Sequence, residues 1–278
     1  MKSIEINALA KINLGLNVVS KRVDGYHNLE TVFYPIYDLY DKIYIKKSET
    51  FSFYCDNNDI NNDKNNLVIT PLKKMEKLLD KTFNLNIICE KKIPLGAGLG
   101  GGSSDAAAII ISLNDMFSLG LTTEEMIKIA FEIGSDVPFF IKAKPSFATG
   151  RGETLERLDF LINYPILLIN PTIHVSTKDA FANIIPKESY FNIKDLFLQS
   201  APDFSDWRKY LKNDFEVTVF KKYPILGAIK EELYKAGAEF ALMSGSGSTI
   251  YGIFNNINEA KKAMNLFPDN YFKFLSLP

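Results

Sequence analysis

Apolar residues occupy Ile4, Ile6, Ala8, Ala10, Ile12, Leu14, Leu16 and Val18, and the positions between them are mostly polar or glycine. A period of two sustained this far predicts a long strand from Ile4 to Val18. Side chains alternate across a strand, so Lys11 and Asn13 fall on the face opposite the apolar row, with Asn7, Gly15 and Asn17. Asp24-Gly25 signals a turn, and strand-like runs follow at Leu29–Tyr37, Asp41–Lys47 and Phe51–Cys55. Pro71 suits the first turn of a helix whose Leu72, Met75, Leu78 and Leu79 form one apolar face. A short strand, Leu85–Cys89, comes next.

An apolar helix runs from Ala106 to Leu113, and a second spans Thr122–Ile133, opened by the capping box Thr122-x-x-Glu125 and stopped by Gly134. Ser135 then caps a short helix with Asp136 in its first turn and Pro138 at a tolerated early position. Gly150-Arg151-Gly152 is a turn, and the buried strand Tyr164–Asn170 opens a second half. The domain boundary is expected near 150 to 160, giving stretches 1–155 and 156–278. Beyond it Ser176-x-x-Asp179 caps a helix bearing Phe181, and helices span Asp206–Asn213 and Ile225–Ala236, the latter ended by Gly237. The chain finishes with a helix near Asn258–Leu266 and a strand, Phe272–Leu277. Solenoid-type repeats are absent from the sequence.

Between the strand at Leu85 and the helix at Ala106 lies Pro94-Leu95-Gly96-Ala97-Gly98-Leu99-Gly100-Gly101-Gly102-Ser103-Ser104-Asp105, in which five of twelve residues are glycine. Without Cβ atoms the backbone reaches positive φ and approaches a ligand closely. Ser103 or Ser104 is a natural N-cap for the helix that follows, whose end adds N–H donors and partial positive charge. Nest, helix end and hydroxyls together make a phosphate cradle. A second glycine loop, Ser244-Gly245-Ser246-Gly247-Ser248-Thr249, sits between two strand-like pieces and carries more hydroxyls than a hairpin needs.

Two familiar phosphate motifs fail on context. Gly96-x-Gly98-x-x-Gly101 fits the dinucleotide fingerprint, yet Lys91, Lys92 and Pro94 separate it from the preceding strand and a second helix follows the first. Gly96-x-x-x-x-Gly101 begins a Walker A motif, but Gly102 stands where the lysine belongs. A flexible linker does not fit either, because the run joins a strand to a strong helix.

The 278 residues are 46% hydrophobic with a net charge of −1, enough for a substantial core and with no basic field for nucleic acid or an acidic membrane. Cys55 and Cys89 show no metal spacing with each other or with His27 and His174. No leader or membrane-length apolar run is present, so a cytoplasmic protein without a structural metal is expected. A lysine on a polar strand face is ordinarily a solvated charge, and an aspartate in a first turn ordinarily serves the helix dipole. Tyr26-His27 at a loop tip fits stacking on a nucleobase, or a tyrosine packed on the sheet beside a solvated histidine.

In this order the motifs resemble the GHMP kinase superfamily, named for galactokinase, homoserine kinase, mevalonate kinase and phosphomevalonate kinase. The likeness rests on Ala10-Lys11-Ile12-Asn13-Leu14-Gly15-Leu16 with Gly25-Tyr26-His27, on Pro94–Ser104, on Gly134-Ser135-Asp136-Val137-Pro138-Phe139-Phe140, and on Ser244-Gly245-Ser246-Gly247. Lys11, Tyr26-His27 and Asp136 point within it to the branch whose substrate is a cytidyl diphosphate.

The resemblance implies a two-domain α+β fold with ATP and substrate in the cleft between domains. It implies transfer of the γ-phosphoryl group to a tertiary alcohol, with Asp136 as base and Lys11 as its partner. It places Pro94, Leu95, Gly96, Ala97, Gly98, Leu99, Gly100, Gly101, Gly102, Ser103 and Ser104 on the nucleotide, and Asn66 and Leu67 on the adenine side. Tyr26 and Phe181 would sandwich the cytosine with His27 reading its edge, and Asn13 and Thr177 would sit near the substrate. Mg²⁺ would bridge phosphate oxygens, held by phosphates, water and Ser103 or Ser104. A monomer or homodimer with no nucleic-acid or membrane partner is expected, and His174 is left as structural. Another GHMP kinase of homoserine or mevalonate type would not need Tyr26, His27 and Phe181. A non-catalytic nucleotide-binding regulator on this fold would not need Lys11 and Asp136.

Overall fold

The computed structural model describes residues 3–63, 66–182, 184–199 and 202–278. The chain gathers into two compact units, Met1–Ala10 with Leu39–Ile93 and Gly100–Ala143, and Lys11–Asp38 with Pro94–Leu99 and Lys144–Pro278. The expected boundary at 155 cuts the chain once, whereas this division also passes through two long strands and the glycine stretch.

Those strands are β1 (Ser3–Lys21) and β2 (His27–Lys47), which pair with each other. The two strands expected at 29–37 and 41–47 are one, because Leu39, Asp41, Ile43 and Ile45 stay buried at alternate positions and nothing between them breaks the pairing. Along β1 the apolar row is buried from Ala8 to Val18 as its alternation predicts, with Ile4 and Ile6 half-buried. Its polar face is buried too from Lys11 to Gly15, which the alternation does not reveal.

In the first unit the second half of β2 pairs antiparallel with β4 (Leu85–Glu90), Lys42 opposite Glu90, and β3 (Ser52–Cys55) runs parallel to β4. Five helices accompany them: α1 (Asn58–Asn62), α2 (Ile69–Leu79), α3 (Gly101–Met116), α4 (Thr123–Phe131) and α5 (Val137–Phe140). Helix α2 starts two residues before Pro71, because the Asn66 side chain accepts the N–H groups of Val68 and Ile69 at 3.0 and 2.9 Å. The centre of this unit is α3, whose residues from Ser104 to Ile110 are all buried and which touches α2, α4 and α5. The capping box of α4 forms as expected, with Glu125 N–H on Thr122 Oγ1 at 3.2 Å and Thr122 N–H on Glu125 Oε2 at 2.8 Å.

In the second unit the first half of β2 pairs with β5 (Ser146–Thr149), and β5 with β6 (Thr154–Arg157). A four-stranded antiparallel sheet follows, β7 (Ile166–Asn170), β8 (Phe240–Met243), β9 (Ile250–Ile253) and β10 (Phe272–Ser276), in the order β10-β7-β9-β8. Helices α6 (Thr177–Ala182), α7 (Phe204–Tyr210), α8 (Phe215–Lys222), α9 (Pro224–Lys235) and α10 (Ile257–Met264) complete it. Leu16, Val18, Leu167, Ile169, Phe215, Leu226, Leu233 and Phe254 share one apolar core. The helix expected at 206–213 ends at Tyr210, and Asn213 instead ties the chain down, donating from Nδ2 to the carbonyls of Met243 and Gly245 at 2.8 and 2.7 Å. None of the described helices is long and apolar enough to cross a membrane.

Candidate active site

The glycine stretch forms as a loop entering a helix, but its cap differs from expectation. Neither Ser103 nor Ser104 caps α3; the N-cap is Gly100 at φ 73°, with no side-chain cap, and both serines lie inside the first turn. A left-handed residue that only glycine adopts without cost lets the chain turn into the helix earlier. The free first-turn donors are therefore amides of the glycine run itself.

Residues 94–99 are fastened to the second glycine loop. Thr249 N–H donates to Ala97 O at 3.1 Å, and Ser244 Oγ donates to Gly98 O at 2.8 Å. Lys11 N–H reaches Leu99 O at 2.9 Å. A Cβ on Gly98 would lie 2.1 Å from Ser244 O, so the two loops meet backbone to backbone. The His174 ring stands against Gly96, where a Cβ would fall 2.5 Å from its Nδ1. This histidine thus lies against the first glycine loop, which its sequence neighbours did not indicate.

Beside this junction Lys11 and Asn13, 3% and 1% exposed, form a buried polar pair. Lys11 Nζ donates to Asn13 Oδ1 at 2.6 Å and stands 5.1 Å from the Phe33 ring centre. Asn13 N–H donates to Ser244 Oγ at 3.3 Å, and the Tyr251 hydroxyl donates to Asn13 O at 2.9 Å. Burial here overturns the ordinary solvated reading of Lys11.

A second group in the same unit is aromatic. His27 stacks on Phe181 with centroids 4.9 Å apart and planes at 17°, and Phe181 meets Phe215 edge-on at 4.7 Å. Burial, with Lys21 nearby, holds the His27 imidazole below its ordinary pKa, so at neutral pH it has one donor and one acceptor nitrogen. Tyr26 is half exposed, and the Arg151 guanidinium lies 3.6 Å from its ring centre. The ring facing Phe181 is therefore His27 rather than Tyr26. Thr177 Oγ1 lies 3.1 Å from Ser246 Oγ, which joins the start of α6 to the second glycine loop.

The remaining candidates belong to the first unit. Asn66 is buried and its side chain accepts the N–H groups of Val68 and Ile69 where the chain enters α2, while Leu67 is partly exposed and approaches Gly102, where a Cβ would fall 2.8 Å from Leu67 Cδ1. Asp136 occupies the N-cap position of α5 rather than its first turn, and its side chain does not cap the helix.

Sequence reasoning passed over one buried ionic cluster. Lys91 Nζ is shared by the carboxylates of Asp41 and Asp105, and all three side chains are at most 5% exposed. Asp41 Oδ1 also accepts the N–H groups of Lys92 and Ile93 at 2.6 and 2.8 Å. The cluster thus fixes the chain on either side of the glycine stretch. Burial pushes the Asp105 carboxyl up to about 7 despite Lys91, with Asp41 adding to the rise, while the two carboxylates push Lys91 up against its own burial. Asp105 Oδ1 is buried without a hydrogen-bond partner. Lys91 and Lys92 are visible in the sequence, but nothing there brings Asp41 to them.

Matches to known proteins agree with this arrangement. The GHMP kinase N-terminal domain model matches residues 66–144, and the C-terminal model residues 193–271. The 4-diphosphocytidyl-2-C-methyl-D-erythritol kinase of Bacteroides thetaiotaomicron is 45% identical, covering 88% of this chain and 90% of its own. A solved 4-(cytidine 5'-diphospho)-2C-methyl-D-erythritol kinase superposes with a TM-score of 0.82 at 27% identity, covering 98% of both chains. Homoserine kinase from Cytophaga hutchinsonii shares the fold, with a TM-score of 0.67 at 17% identity over 99% of this chain and 95% of its own. The fold and its paired glycine loops are those of a GHMP kinase. Within that class the chain belongs to the 4-diphosphocytidyl-2-C-methyl-D-erythritol kinase family.

Proposed function

We propose that the protein transfers the γ-phosphoryl group of ATP to the 2-hydroxyl of 4-diphosphocytidyl-2-C-methyl-D-erythritol, giving the 2-phosphate and ADP, in the methylerythritol phosphate route to isoprenoid precursors. The 45% identity to a kinase of that name, spread over 88% of the chain, carries this reading. The family models falling on either side of residue 155 support stretches 1–155 and 156–278 as its N- and C-terminal domains.

Asp136, at the N-cap position of α5, is the base that accepts the proton of the tertiary hydroxyl as attack proceeds. Lys11 offsets negative charge gathering on the reacting oxygens, and its burial strengthens that effect. The amides of 94–104 cradle phosphate, with Asn66 and Leu67 toward the adenine. Tyr26, His27 and Phe181 take the cytosine, with Asn13 and Thr177 toward the rest of the substrate.

Among the described residues no group of His, Cys, Asp and Glu side chains is arranged to hold a metal on its own. The loop's amide N–H groups fit phosphate oxygens, and the Ser103 or Ser104 hydroxyl oxygen would serve a Mg²⁺ ion that arrives on the nucleotide. Such an ion neutralises phosphate oxygens during transfer. A cytoplasmic location accords with two buried free cysteines.

The test is an ADP-release assay with Mg-ATP that offers the cytidyl substrate beside homoserine, mevalonate and galactose. Turnover is expected with the cytidyl substrate alone; turnover of another alcohol, or of none, overturns the reading.

A further inference from the structure

The hydrogen bonds behind Lys11 have a fixed direction. Thr31, on β2 and 1% exposed, places its Oγ1 2.5 Å from the carbonyl oxygen of Gly15 and 2.9 Å from Asn13 Nδ2. A carbonyl only accepts, so the single hydroxyl hydrogen of Thr31 goes to Gly15. The Thr31 oxygen is then left to accept, and the Asn13 amide must turn its NH₂ toward it. That turns Oδ1 toward Lys11 Nζ, which it meets at 2.6 Å.

An asparagine amide has two orientations of nearly equal shape, and only its partners choose between them. The Asn13 main chain is already held by Ser244 and Tyr251. What remains is the amide orientation, which Thr31 as acceptor and Lys11 as donor select together. With the amide reversed, an NH₂ group would face the lysine, and two donors in a buried site repel.

We propose that Thr31 is a positioning residue for phosphoryl transfer: by fixing the Asn13 amide it holds the Lys11 ammonium in its working place. This rests on the reading of Lys11 given above. Thr31 touches no reacting atom in this scheme. Its effect through Lys11 belongs in turnover, and binding of ATP is left to other residues.

The experiment measures kcat and KM for both substrates, with melting temperature, in T31V, T31S and K11M. T31V keeps the shape and removes the hydroxyl, while T31S keeps the hydroxyl. The expected result is a kcat lower by about tenfold or more in T31V, the KM for ATP within about threefold of wild type, and T31S close to wild type. Assays run well below the melting temperature of each variant separate turnover from unfolding. Wild-type kcat in T31V with K11M inactive overturns the role of Thr31 and leaves Lys11 standing. Equal losses in T31V and T31S overturn it as well, since packing would then explain both. Wild-type kcat in K11M overturns the reading of Lys11 and this proposal with it.

Discussion

Gly98 faces Ser244 so closely that a Cβ on the glycine would lie 2.1 Å from the serine carbonyl oxygen and 3.0 Å from that of Gly247. The obstacle is backbone, which cannot rotate aside as a flexible side chain can. Gly98 also sits at φ 77°, where a side chain costs about 1–2 kcal/mol before any clash. G98A should therefore push the two glycine loops apart, raising the KM for ATP by about a hundredfold or abolishing activity. Gly120, at φ 71° with nothing within 4 Å of its Cβ position, is the control. G120A should show only the conformational cost, a lower melting temperature with an unchanged KM.

The Lys91 cluster sets two carboxylates against one ammonium in a buried place. Removing the cation by K91M leaves Asp41 and Asp105 facing each other, which should destabilise the protein by about 3–5 kcal/mol, as breaking a buried pair does. Its melting temperature should fall steeply. Substituting both carboxylates as well, in D41N/D105N/K91M, should recover part of the loss.

The pH dependence of the same cluster has a definite sign. Asp105 in the folded protein titrates near 7 against an ordinary 3.8, so the folded state holds its proton more tightly than the unfolded state. The stability this confers is complete below pH 3.8 and is lost as pH rises through about 7. Lys91, Asp41 and Cys89 are the ionisable groups that act on it. D105N resembles the protonated form and does not titrate. Its melting temperature relative to wild type should rise between pH 5 and pH 8, by the equivalent of about 2–3 kcal/mol at most. A difference independent of pH would show that Asp105 is ionised throughout.

Much of the architecture was legible because burial leaves a period. The even-numbered row from Ile4 to Val18 and the Thr122/Glu125 box formed where their patterns placed them, and the strand expected at 164–170 formed over 166–170. Caps were read less well. Serine outranks glycine as an N-cap by side-chain chemistry, yet at α3 the backbone turn required φ 73° and the glycine took the position. Partners far apart in sequence were not legible at all. Lys11 was visible as a lysine on a polar face, but its burial goes with an Asn13 side chain and main chain tied to Thr31 and Ser244, contacts that period two does not encode. Arg151 was read only as part of a turn, and its guanidinium lies over Tyr26.

That contact bears on how the base is held. Tyr26 is half exposed with Arg151 beside its ring, while His27 and Phe181 are already stacked on one another. Base stacking on an aromatic side chain contributes about 1–3 kcal/mol. Y26A should therefore raise the dissociation constant of the cytidyl substrate by about tenfold and leave that of ATP unchanged, measured by titration calorimetry. Equal losses for both ligands would mean that Tyr26 supports the fold rather than the base.

Asp136 separates chemistry from binding most sharply. Its carboxylate stands at the N-cap position of α5 without capping the helix, and Val137 N–H is taken instead by Gly134 O at 3.2 Å. D136N keeps the size and shape of the side chain and removes its capacity to accept a proton. Loss of a general base lowers turnover by about 10²–10⁴-fold, so kcat should fall in that range. Dissociation constants for ATP and the cytidyl substrate should stay within about threefold of wild type, and the melting temperature should be unchanged, because neither depends on proton transfer. If D136N instead lost substrate binding while retaining turnover at saturation, Asp136 would be an anchor, and the base would have to be sought elsewhere.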